Sequence, residues 1–382
     1  MIKPSVCHLT SVHQQFDIRI FRKQLLSLKK AGYDVYQISQ GESGIRKGIK
    51  LIGLGEVPKS RLKRILFFTK KIYKAALKLD SDIYHVHDPE LLPAAAKLAK
   101  RGKIVIFDSH ENVTGQIEEK TYIPKLFRKI IAKVYSVFEK NVLKKLSGVI
   151  CVSPNFTQRM KKQNENCVTV TNYPLLSEQE TALEKLSIDN KSNFSETSDK
   201  VFKICFPGLI SEEWCHLELL TAIKDIELEY VLCGPAHKDY FEEMKKHPAW
   251  KKVNYQGIVS RAQVRTSINE SNLGMALCRK LPNTDYDIGT LGNTKLFEYM
   301  LQKRPVCCTN FILWEEIVTK YNCGICIEPD QPDQIEETIQ WFIKHPEEAK
   351  QMGERGYKAV LNEYNWSTQE KTLLDFYSKL QK

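Results

Sequence analysis

Short apolar runs rich in β-branched residues alternate with amphipathic stretches along nearly the whole chain. Strands are predicted at 6–9, 34–38, 82–87, 104–108, 149–152 and 168–171, and again at 202–206, 230–233, 253–256, 273–277, 306–309 and 324–327. Helical patterns lie between them, as at 17–31, 60–79, 89–101, 124–146 and 155–163. Strands that alternate with helices form parallel sheets covered by helices on both faces. The sequence therefore predicts an α/β fold of two doubly wound, Rossmann-like domains, one in each half.

The boundaries of these domains follow from where the pattern fades. We place the first domain at residues 1–175 and the second at 201–365. Residues 176–200 are rich in Ser, Glu, Asn, Lys and Thr and lack strong hydrophobic periodicity, which is typical of a linker. A last amphipathic helix, 366–382, is expected to pack back on the first domain. A length of 382 residues with 42% hydrophobic residues is enough for two separate cores.

The start of the chain and its cysteines predict the compartment. The opening MIKPSVCHLT has no long apolar stretch, so no secretory signal is expected. No segment reaches the roughly 18 uncharged apolar residues that a membrane span needs. The 11 cysteines are scattered, many of them within apolar runs, which is typical of free thiols in a reducing cytosol. A cytoplasmic protein is therefore predicted.

The net charge of +11 hides an asymmetry between the two halves. Residues 1–175 carry 32 Lys and Arg against 14 Asp and Glu, a net +18, whereas residues 176–382 carry 25 against 32, a net −7. Much of the positive charge lies in two amphipathic helices, 59–78 and 120–145, whose apolar sides are expected to pack on a sheet. A basic lobe indicates an anionic, extended partner, either nucleic acid or a membrane. No motif that interleaves aromatic and basic residues supports nucleic acid, and a basic amphipathic helix is also typical of proteins that contact an anionic membrane surface.

Polar residues cluster directly after three predicted strands of the first half. The segments are His8-Leu-Thr-Ser-Val-His13, His85-Val-His87-Asp88-Pro-Glu90 and Asp108-Ser-His110-Glu111. In a doubly wound sheet the carboxyl ends of the strands form the crevice in which ligands bind, so these side chains are predicted to share one site. His85 and His87 lie on one side of a strand and could ligate zinc, but no third ligand is specified and no metal is predicted.

A polar loop with two glycines offers an anion site in the second half. The loop Asp287-Ile-Gly289-Thr290-Leu291-Gly292-Asn293-Thr294 runs into a helix that begins at Lys295 and carries Glu298. Backbone N–H groups at the start of a helix, together with a lysine, can bind a diphosphate. Glu298 could accept hydrogen bonds from two ribose hydroxyls. A capping loop in front of a core helix explains the same spacing equally well.

Taken together and in this order, these segments resemble glycosyltransferase family 4, the retaining enzymes of the GT-B fold. The resemblance rests on His8 to His13 followed by Phe16-Asp17-Ile-Arg19-Ile-Phe21, and on His85-Val-His-Asp-Pro-Glu-Leu-Leu-Pro93, Phe107-Asp-Ser-His-Glu111, Cys151-Val-Ser-Pro154, Lys295-Leu-Phe-Glu298-Tyr-Met and Tyr364-Asn-Trp366. It covers nearly the full length apart from the linker. The pattern is most similar to the bacterial branch that builds capsule, O-antigen or exopolysaccharide. It implies two domains that face each other across a cleft, the first binding the acceptor and the second a nucleotide-sugar donor.

The resemblance also implies roles for individual residues. His110 and Glu298 are the implied catalytic residues, with His110 near the donor sugar and Glu298 on the ribose. The implied donor-binding residues are Gly208, Ser211, Gly289, Thr290, Leu291, Gly292, Asn293, Thr294, Lys295 and Glu298. The implied acceptor-side residues are His13, Asp17, Arg19, His87, Asp88 and Glu90. Neither a metal ion nor another cofactor is expected.

Two positions depart from the family pattern. Thr290 stands where the first glutamate of the E-x7-E motif is expected, and Trp214-Cys215 stand where an Arg-Gly pair commonly occurs. Backbone N–H groups of the loop 285–294 are expected to replace the missing glutamate. Lys295, Arg279 or Lys280 is expected to balance the charge of the diphosphate instead of the missing arginine.

The implied activity is transfer of a sugar from a nucleotide-diphosphate sugar, with a UDP-sugar favoured, and with retention of configuration. The acceptor would be a saccharide or a polyprenyl-diphosphate-linked saccharide, and the enzyme would lie on the inner face of the plasma membrane without a nucleic-acid partner. Two alternatives stay open: a non-hydrolysing sugar-nucleotide epimerase, and an inactive relative that binds a sugar nucleotide or a membrane.

Overall fold

Two separate β-sheets form the framework of the protein in a computed structural model that describes residues 3–120, 123–177 and 201–381. The first sheet uses residues 5–169 and the second uses residues 202–327. Apart from its first two residues, the linker predicted at 176–200 lies outside the described residues. Each sheet carries helices on its faces, so the predicted α/β class and the two Rossmann-like domains are confirmed.

The first lobe is built around an eight-stranded sheet in the order β3-β4-β2-β1-β5-β6-β7-β8, in which only the β3–β4 pair is antiparallel. Its strands are β1 Ser5–Leu9, β2 Asp34–Ser39, β3 Gly44–Arg46, β4 Ile49–Gly53, β5 Ile83–Val86, β6 Ile104–Ser109, β7 Gly148–Cys151 and β8 Cys167–Thr169. Its helices are α1 Leu26–Lys30, α2 Arg61–Lys63, α3 Thr69–Leu79, α4 Leu92–Ala99, α5 Val113–Glu119, α6 Lys125–Leu143 and α7 Pro154–Lys161, with π-helical turns at Ile18–Leu25 and Arg64–Phe68 and a 3₁₀ turn at Pro89–Leu91.

The second lobe has a fully parallel six-stranded sheet in the order β11-β10-β9-β12-β13-β14. Its strands are β9 Phe202–Pro207, β10 Leu228–Cys233, β11 Val253–Tyr255, β12 Leu273–Ala276, β13 Val306–Thr309 and β14 Gly324–Ile327. Its helices are α8 His216–Ala222, α9 Lys238–Lys245, α10 Arg261–Asn269, α11 Lys295–Leu301, α12 Ile312–Tyr321, α13 Pro332–Lys344 and α14 Pro346–Asn362, with 3₁₀ turns at Glu212–Trp214, Pro248–Lys252 and Pro282–Thr284. The last helix is α15 Trp366–Leu380.

All the predicted strands are present, and one pair of strands was missed. All three residues of the edge strand β3 are exposed, so hydrophobic patterning gives no signal for it, whereas β4 alternates buried Ile49 and Leu51 with polar or partly exposed residues and had a short signal that was missed. The other strands were found because the central positions of a parallel sheet are buried on both faces and read as continuous apolar runs.

The strand order places a ligand crevice at a defined point in each lobe. In the first sheet the order reverses between β1 and β5, and in the second it reverses between β9 and β12. Loops diverge at such a point, so a crevice opens beyond the carboxyl ends of the strands. The three polar clusters of the first half follow β1, β5 and β6, which are neighbours in the sheet.

Helix α15 belongs to the core of the first lobe, although it follows the whole second lobe in the sequence. Its apolar side chains pack with residues of Ile18–Leu25, α1 and the neighbouring strands. The Trp366 indole donates a hydrogen bond to Ser27 Oγ over 3.0 Å, and the Trp366 backbone N–H donates to Pro174 O over 2.8 Å. The chain therefore passes between the lobes twice.

The expectation for the two basic helices was wrong in one respect. We expected their apolar sides to pack on the sheet, but most large apolar residues of 126–138 and of 62–67 are exposed. The first helix contributes to the core through its second half, with Phe68, Ile72 and Ala76, and the second contributes through its end, with Val142 and Leu143.

The cysteines and the helices agree with two further sequence predictions. All 11 cysteines are free thiols, and all but Cys326 are buried. Among the described residues, the helices include none that combines the length and the low charge needed to cross a bilayer.

Candidate active site

Four histidines meet at the carboxyl ends of β1, β5 and β6. His8 lies on β1 opposite His85 on β5, and His87 and His110 follow β5 and β6. The rings of His85 and His87 stack with centroids 4.6 Å apart, and those of His8 and His87 are 4.9 Å apart. His8, His85 and His87 are buried, and burial lowers the pKa of each below its ordinary value. These three rings are therefore neutral at physiological pH.

One buried carboxylate, Asp108, anchors the group. Arg19 donates to both of its oxygens, from Nε over 3.0 Å and from Nη2 over 2.7 Å, and Gln24 donates to Oδ2 over 2.7 Å. Arg19 Nη1 also donates to the carbonyl of Val170 over 2.9 Å. Burial would raise the pKa of Asp108, but the charges of Arg19 and His110 outweigh it and hold the pKa well below its usual range. Asp108 is therefore a fixed negative charge beneath the histidines.

The carboxylate also orients three of the rings. Oδ2 of Asp108 lies 3.6 Å from Nε2 of His85, 3.5 Å from Nδ1 of His87 and 3.4 Å from Nε2 of His110. A ring nitrogen that faces an ionised carboxylate is favoured when it carries a proton. Asp108 therefore favours a proton on Nε2 of His85 and of His110, whereas Nδ1 of the neutral His87 ring accepts from His110 Nε2 and carries none.

Hydrogen bonds link the histidines to Tyr377 of α15. His110 Nε2 is 3.1 Å from His87 Nδ1, and His87 Nε2 is 2.8 Å from His8 Nδ1. The Tyr377 hydroxyl is 3.2 Å from His8 Nε2 and 2.6 Å from His85 Nδ1. When the Tyr377 hydroxyl donates its proton to His85 Nδ1, its oxygen accepts from His8 Nε2. His8 Nδ1 then accepts from His87 Nε2, and His87 Nδ1 accepts from His110 Nε2, so every hydrogen bond has one donor and one acceptor.

Two sets of these side chains lie close enough together to hold a metal ion. They are His8 with His85 and His87, and His87 with Asp108 and His110. Most of the nitrogens in both sets hydrogen-bond to each other or to Tyr377, His85 Nε2 faces Asp108 at 3.6 Å, and Asp108 is paired with Arg19. A hydrogen-bonded network therefore accounts for the cluster.

A second charged group lies beside His110. The rings of His13 and His110 have centroids 4.9 Å apart, and His13 lies 3.6 Å from Asp17 and 3.5 Å from Asp88. Burial would lower the pKa of His13, but the two carboxylates outweigh it and raise the pKa. Burial would likewise raise the pKa of Asp17, but His13 and the Ile20 N–H hold it below its ordinary value. His13 and Asp17 thus stabilise each other as an ion pair.

A cavity of about 300 Å³ lies between the lobes and joins residues of both. From the first lobe it is lined by His13, Asp17, Arg19, Lys23 and His110, among others. From the second lobe it is lined by Arg261, Gly292, Thr294 and Glu298. The two implied catalytic residues, His110 and Glu298, therefore open onto the same space from opposite lobes.

Two sequence profiles match this chain. The profile of the Glycosyltransferase Family 4 matches residues 22–172, and that of the Glycosyl transferases group 1 matches residues 187–359. The chain is a GT-B glycosyltransferase of family 4. Among curated proteins, no sequence matches it significantly.

Solved structures of similar fold cover the glycosyltransferase from end to end. Sucrose-phosphate synthase of Thermosynechococcus elongatus superposes with a TM-score of 0.77 over 99% of both chains at 13% identity. HepE of Anabaena, in complex with UDP and glucose, gives 0.70 at 12% identity, over 98% of this chain and 100% of its own. A UDP-forming α,α-trehalose-phosphate synthase of Burkholderia xenovorans gives 0.71 at 12% identity, over 100% of both. These similarities establish the fold.

The other residues predicted on the acceptor side of the glycosyltransferase either line a second cavity or hold the loops around it in place through hydrogen bonds. His87 and Asp88 line a second cavity of about 240 Å³, which His13 and His110 also line. Asp88 accepts hydrogen bonds from Thr10, Ser11 and the Val12 N–H, so its carboxylate fixes the loop after β1. Glu90 accepts from Arg64 over 2.8 Å and from Ser11 over 2.7 Å. We therefore assign Asp88, Glu90 and the buried Arg19 to positioning.

The loop Gly289–Thr294 joins the two lobes of the glycosyltransferase. Asn155 donates to Asp285 Oδ2 over 2.7 Å and to the Gly289 carbonyl over 3.2 Å, and the Leu291 N–H donates to Ser153 Oγ over 3.2 Å. Gly289 has φ +78°, and a β-carbon there would clash with Phe311. Gly292 and Thr294 line the interlobe cavity, whereas Gly289, Thr290, Leu291 and Asn293 do not.

The Lys295 ammonium lies over two aromatic rings, one on β9 and one in the turn that follows β9. Its Nζ is 3.7 Å from the centroid of Trp214 and 4.9 Å from that of Phe206. Burial lowers the pKa of Lys295 to about 8. A β-carbon on Gly208 would meet the Lys295 side chain at 2.5 Å, so Gly208 makes room for the lysine. Gly208, Ser211 and Lys295 thus lie outside the cavity that holds Glu298.

Arg261 is a site residue that the sequence analysis missed. Its guanidinium lies 3.4 Å from Glu298 Oε1 and lines the interlobe cavity. It stands in the first turn of α10, after β11, where a search of every strand end in the second lobe would have found it. Two cations expected at the diphosphate are engaged elsewhere, since Arg279 pairs with Glu218, and Lys280 pairs with Asp287 and Glu328.

Proposed function

We propose that this glycosyltransferase moves a sugar from a UDP-sugar to a saccharide or a polyprenyl-diphosphate-linked saccharide, with retention of configuration. The cavity between the lobes carries the proposal, because it places His110 opposite Glu298 in a space of about 300 Å³. The solved structures that contain UDP, or whose names describe UDP formation, support the choice of uridine as the base.

The donor would lie against the second lobe. Glu298 would accept the ribose hydroxyls, with Arg261 holding its carboxylate in place at 3.4 Å. Arg261 and the Thr294 backbone N–H would balance the diphosphate charge within the cavity, and Lys295 would add positive charge from outside it. Thr290 and Trp214 stand where the family pattern has a glutamate and an arginine. Arg261, the cation that the second lobe contributes to the cavity, can replace the missing arginine.

The acceptor would approach from the first lobe. His13, His87 and His110 line the second cavity, which offers imidazole groups to the hydroxyls of a sugar. Asp17 raises the pKa of His13, and Asp108 keeps the buried rings in one orientation. His110 lines both cavities, so it would lie where donor and acceptor meet.

Retention is proposed to occur by transfer on one face of the donor sugar. The bond between C1 and the β-phosphate oxygen breaks while the bond between C1 and the acceptor oxygen forms. The acceptor hydroxyl gives its proton to the leaving phosphate. The chain would supply orientation and positive charge for this step, and we propose that it needs neither a metal ion nor another cofactor.

The product would be part of a capsule, O-antigen or exopolysaccharide, made on the cytoplasmic side of the membrane. The charge of +18 on residues 1–175 and the basic helices 59–78 and 120–145 support peripheral contact of the first lobe with an anionic inner leaflet.

Binding and turnover test the proposal together. Thermal denaturation with UDP-, GDP- and dTDP-sugars should show stabilisation by one UDP-sugar, and UDP release should require an acceptor. Epimerisation of the donor without an acceptor would favour an epimerase. Stabilisation without any turnover would indicate an inactive relative, and no response to any sugar nucleotide would refute the proposal.

A further inference from the structure

The most apolar side of helix α6 is exposed at the surface of the first lobe. Seven large side chains with exposed fractions from 38% to 70% form a stripe, which we call the α6 stripe: Leu126, Phe127, Ile130, Ile131, Val134, Val137 and Phe138. The inward side carries Ala132 and Glu139, and Tyr135 donates to Glu139 Oε1 over 3.0 Å. Burying a carboxylate while exposing seven apolar groups is the reverse of normal packing on a core. Such a stripe calls for an apolar partner.

A second apolar patch lies in the segment from 61 to 68. Leu62 and Phe67 have exposed fractions of 66% and 59%, and Ile65 and Leu66 are also exposed. Phe68 is buried and ties the segment to the core. The exposure of four large apolar side chains in six residues is not needed for packing.

Both patches lie on the same side of the first lobe. Phe68 and α3, α4, and the end of α6 at Val142 and Leu143 share one core cluster, which covers one face of the sheet. Helix α4 contacts both α3 and α6, so it lies between the two patches. The α6 stripe and the segment 61–68 therefore flank one surface.

The exposed charges within these two segments have one sign. Residues 120–145 contain eight Lys and Arg, and their one acidic residue, Glu139, is buried. An isologous dimer would bring two such positive surfaces together, which is unfavourable. Nucleic acid would use the cations but would leave the leucine, isoleucine and valine side chains without a partner. An anionic lipid surface satisfies both the charge and the apolar side chains.

The surface that the α6 stripe and the segment 61–68 flank borders the second cavity, which His87 and Asp88 line. Arg64, in the segment 61–68, pairs with Glu90 over 2.8 Å, and Glu90 follows the cavity residues His87 and Asp88. Helix α5, which packs on α6, lines that cavity with Val113.

We infer that the α6 stripe and the segment 61–68 insert into the interfacial region of an anionic bilayer, at the boundary between headgroups and acyl chains. This inference rests on the proposed function in one respect: an acceptor with a lipid anchor would reach His110 from this side. Contact by charge alone would not require apolar side chains at these positions, so insertion goes beyond electrostatic attraction.

Vesicle sedimentation of the full chain tests the inference. We expect binding to vesicles of equimolar phosphatidylglycerol and phosphatidylcholine that persists in part at high salt, and weak binding to phosphatidylcholine alone. The double variant Phe127→Ser/Val134→Ser should lose the salt-resistant part at least tenfold. The control Ile45→Ser/Ile258→Ser removes two apolar side chains that are 75% and 79% exposed elsewhere, and it should bind like the wild type.

A second variant reports depth directly. Phe127→Trp should gain fluorescence that is quenched by vesicles with brominated acyl chains, and the wild type gives the background. Equal binding of both double variants, or no added quenching, would overturn insertion. A dimer in solution that Val134→Ser converts to a monomer would also overturn it. Stabilisation by UDP-sugars, measured on the same preparations, shows separately whether the proposed donor binding holds.

Discussion

The ion pair between Arg19 and Asp108 gives a prediction whose size follows from its burial. Arg19 is 4% exposed and Asp108 is fully buried, and the guanidinium makes two hydrogen bonds to the carboxylate. Replacing Arg19 with methionine would leave a buried carboxylate without its cation. Breaking a buried pair from one side costs about 3–5 kcal/mol of unfolding free energy. We expect Arg19→Met to destabilise the first lobe by this amount at neutral pH.

The double variant Arg19→Met/Asp108→Asn separates this mechanism from simple loss of packing. It leaves no unpaired charge, so it should be more stable than Arg19→Met alone. The pH dependence has a definite sign. Without Arg19, the pKa of Asp108 in the folded state rises above the unfolded value of about 3.9, so the folded variant binds the extra proton. The deficit of Arg19→Met against the wild type should therefore shrink as the pH falls towards the raised pKa of Asp108 in the variant.

Buried thiols provide an assay that reports the first lobe alone. Cys7, Cys151 and Cys167 lie in the first lobe and are buried, and the other cysteines lie in the second lobe. Urea-dependent labelling of these thiols, followed by mass spectrometry, measures the unfolding free energy of each lobe. Additive costs of the two single substitutions in the double variant, with no dependence on pH, would refute the reasoning.

Four other predictions test the site. Lys295→Arg should remove the fall in donor kcat/KM that the wild type shows above about pH 8, because the pKa of Lys295 is about 8 and an arginine stays charged; a fall in both would contradict this. His110→Ala and Glu298→Ala should each lower kcat/KM by at least about 100-fold with an unchanged melting temperature, and wild-type rates in either would exclude the assignment. Arg261→Met should raise the donor KM more than Arg261→Lys does, as seen by initial rates. Tyr377→Phe should cost about 1–3 kcal/mol of stability, because two buried imidazoles lose a partner.

The sequence predicted the framework of the fold well because buried parallel strands leave a strong pattern. Alternation of apolar runs and amphipathic helices placed both sheets, and strand ends located His87, Asp88 and His110. The edge strand β3 escaped detection because its three residues are exposed, and β4 escaped because a five-residue alternation is a short signal.

The site itself was predictable only in part, because side-chain partners depend on distant elements. The pattern around 8–13 and 108–111 indicated a polar crevice, but nothing local shows that Arg19 would be buried against Asp108. Tyr377 joins the histidines from the other end of the chain. Arg261 required knowing which strand ends of the second lobe face the first.

The orientation of α6 could not be read from periodicity. A helical stripe of apolar residues shows that one side avoids water, but it does not say whether protein or lipid covers that side. The buried Glu139 and Ala132 show which side of α6 packs on the rest of the first lobe, and the packing of α5 and α4 against this helix reveals them.

The position of α15 has a consequence for how the protein is made. Tyr377 completes the hydrogen bonds of His8 and His85, yet the ribosome adds it only after the whole second lobe. Until then the groove that receives α15, lined by Ile20 and Leu28, has no cover. During synthesis the first lobe therefore has an exposed apolar groove. Its histidines can form their final hydrogen bonds only after the second lobe has been made.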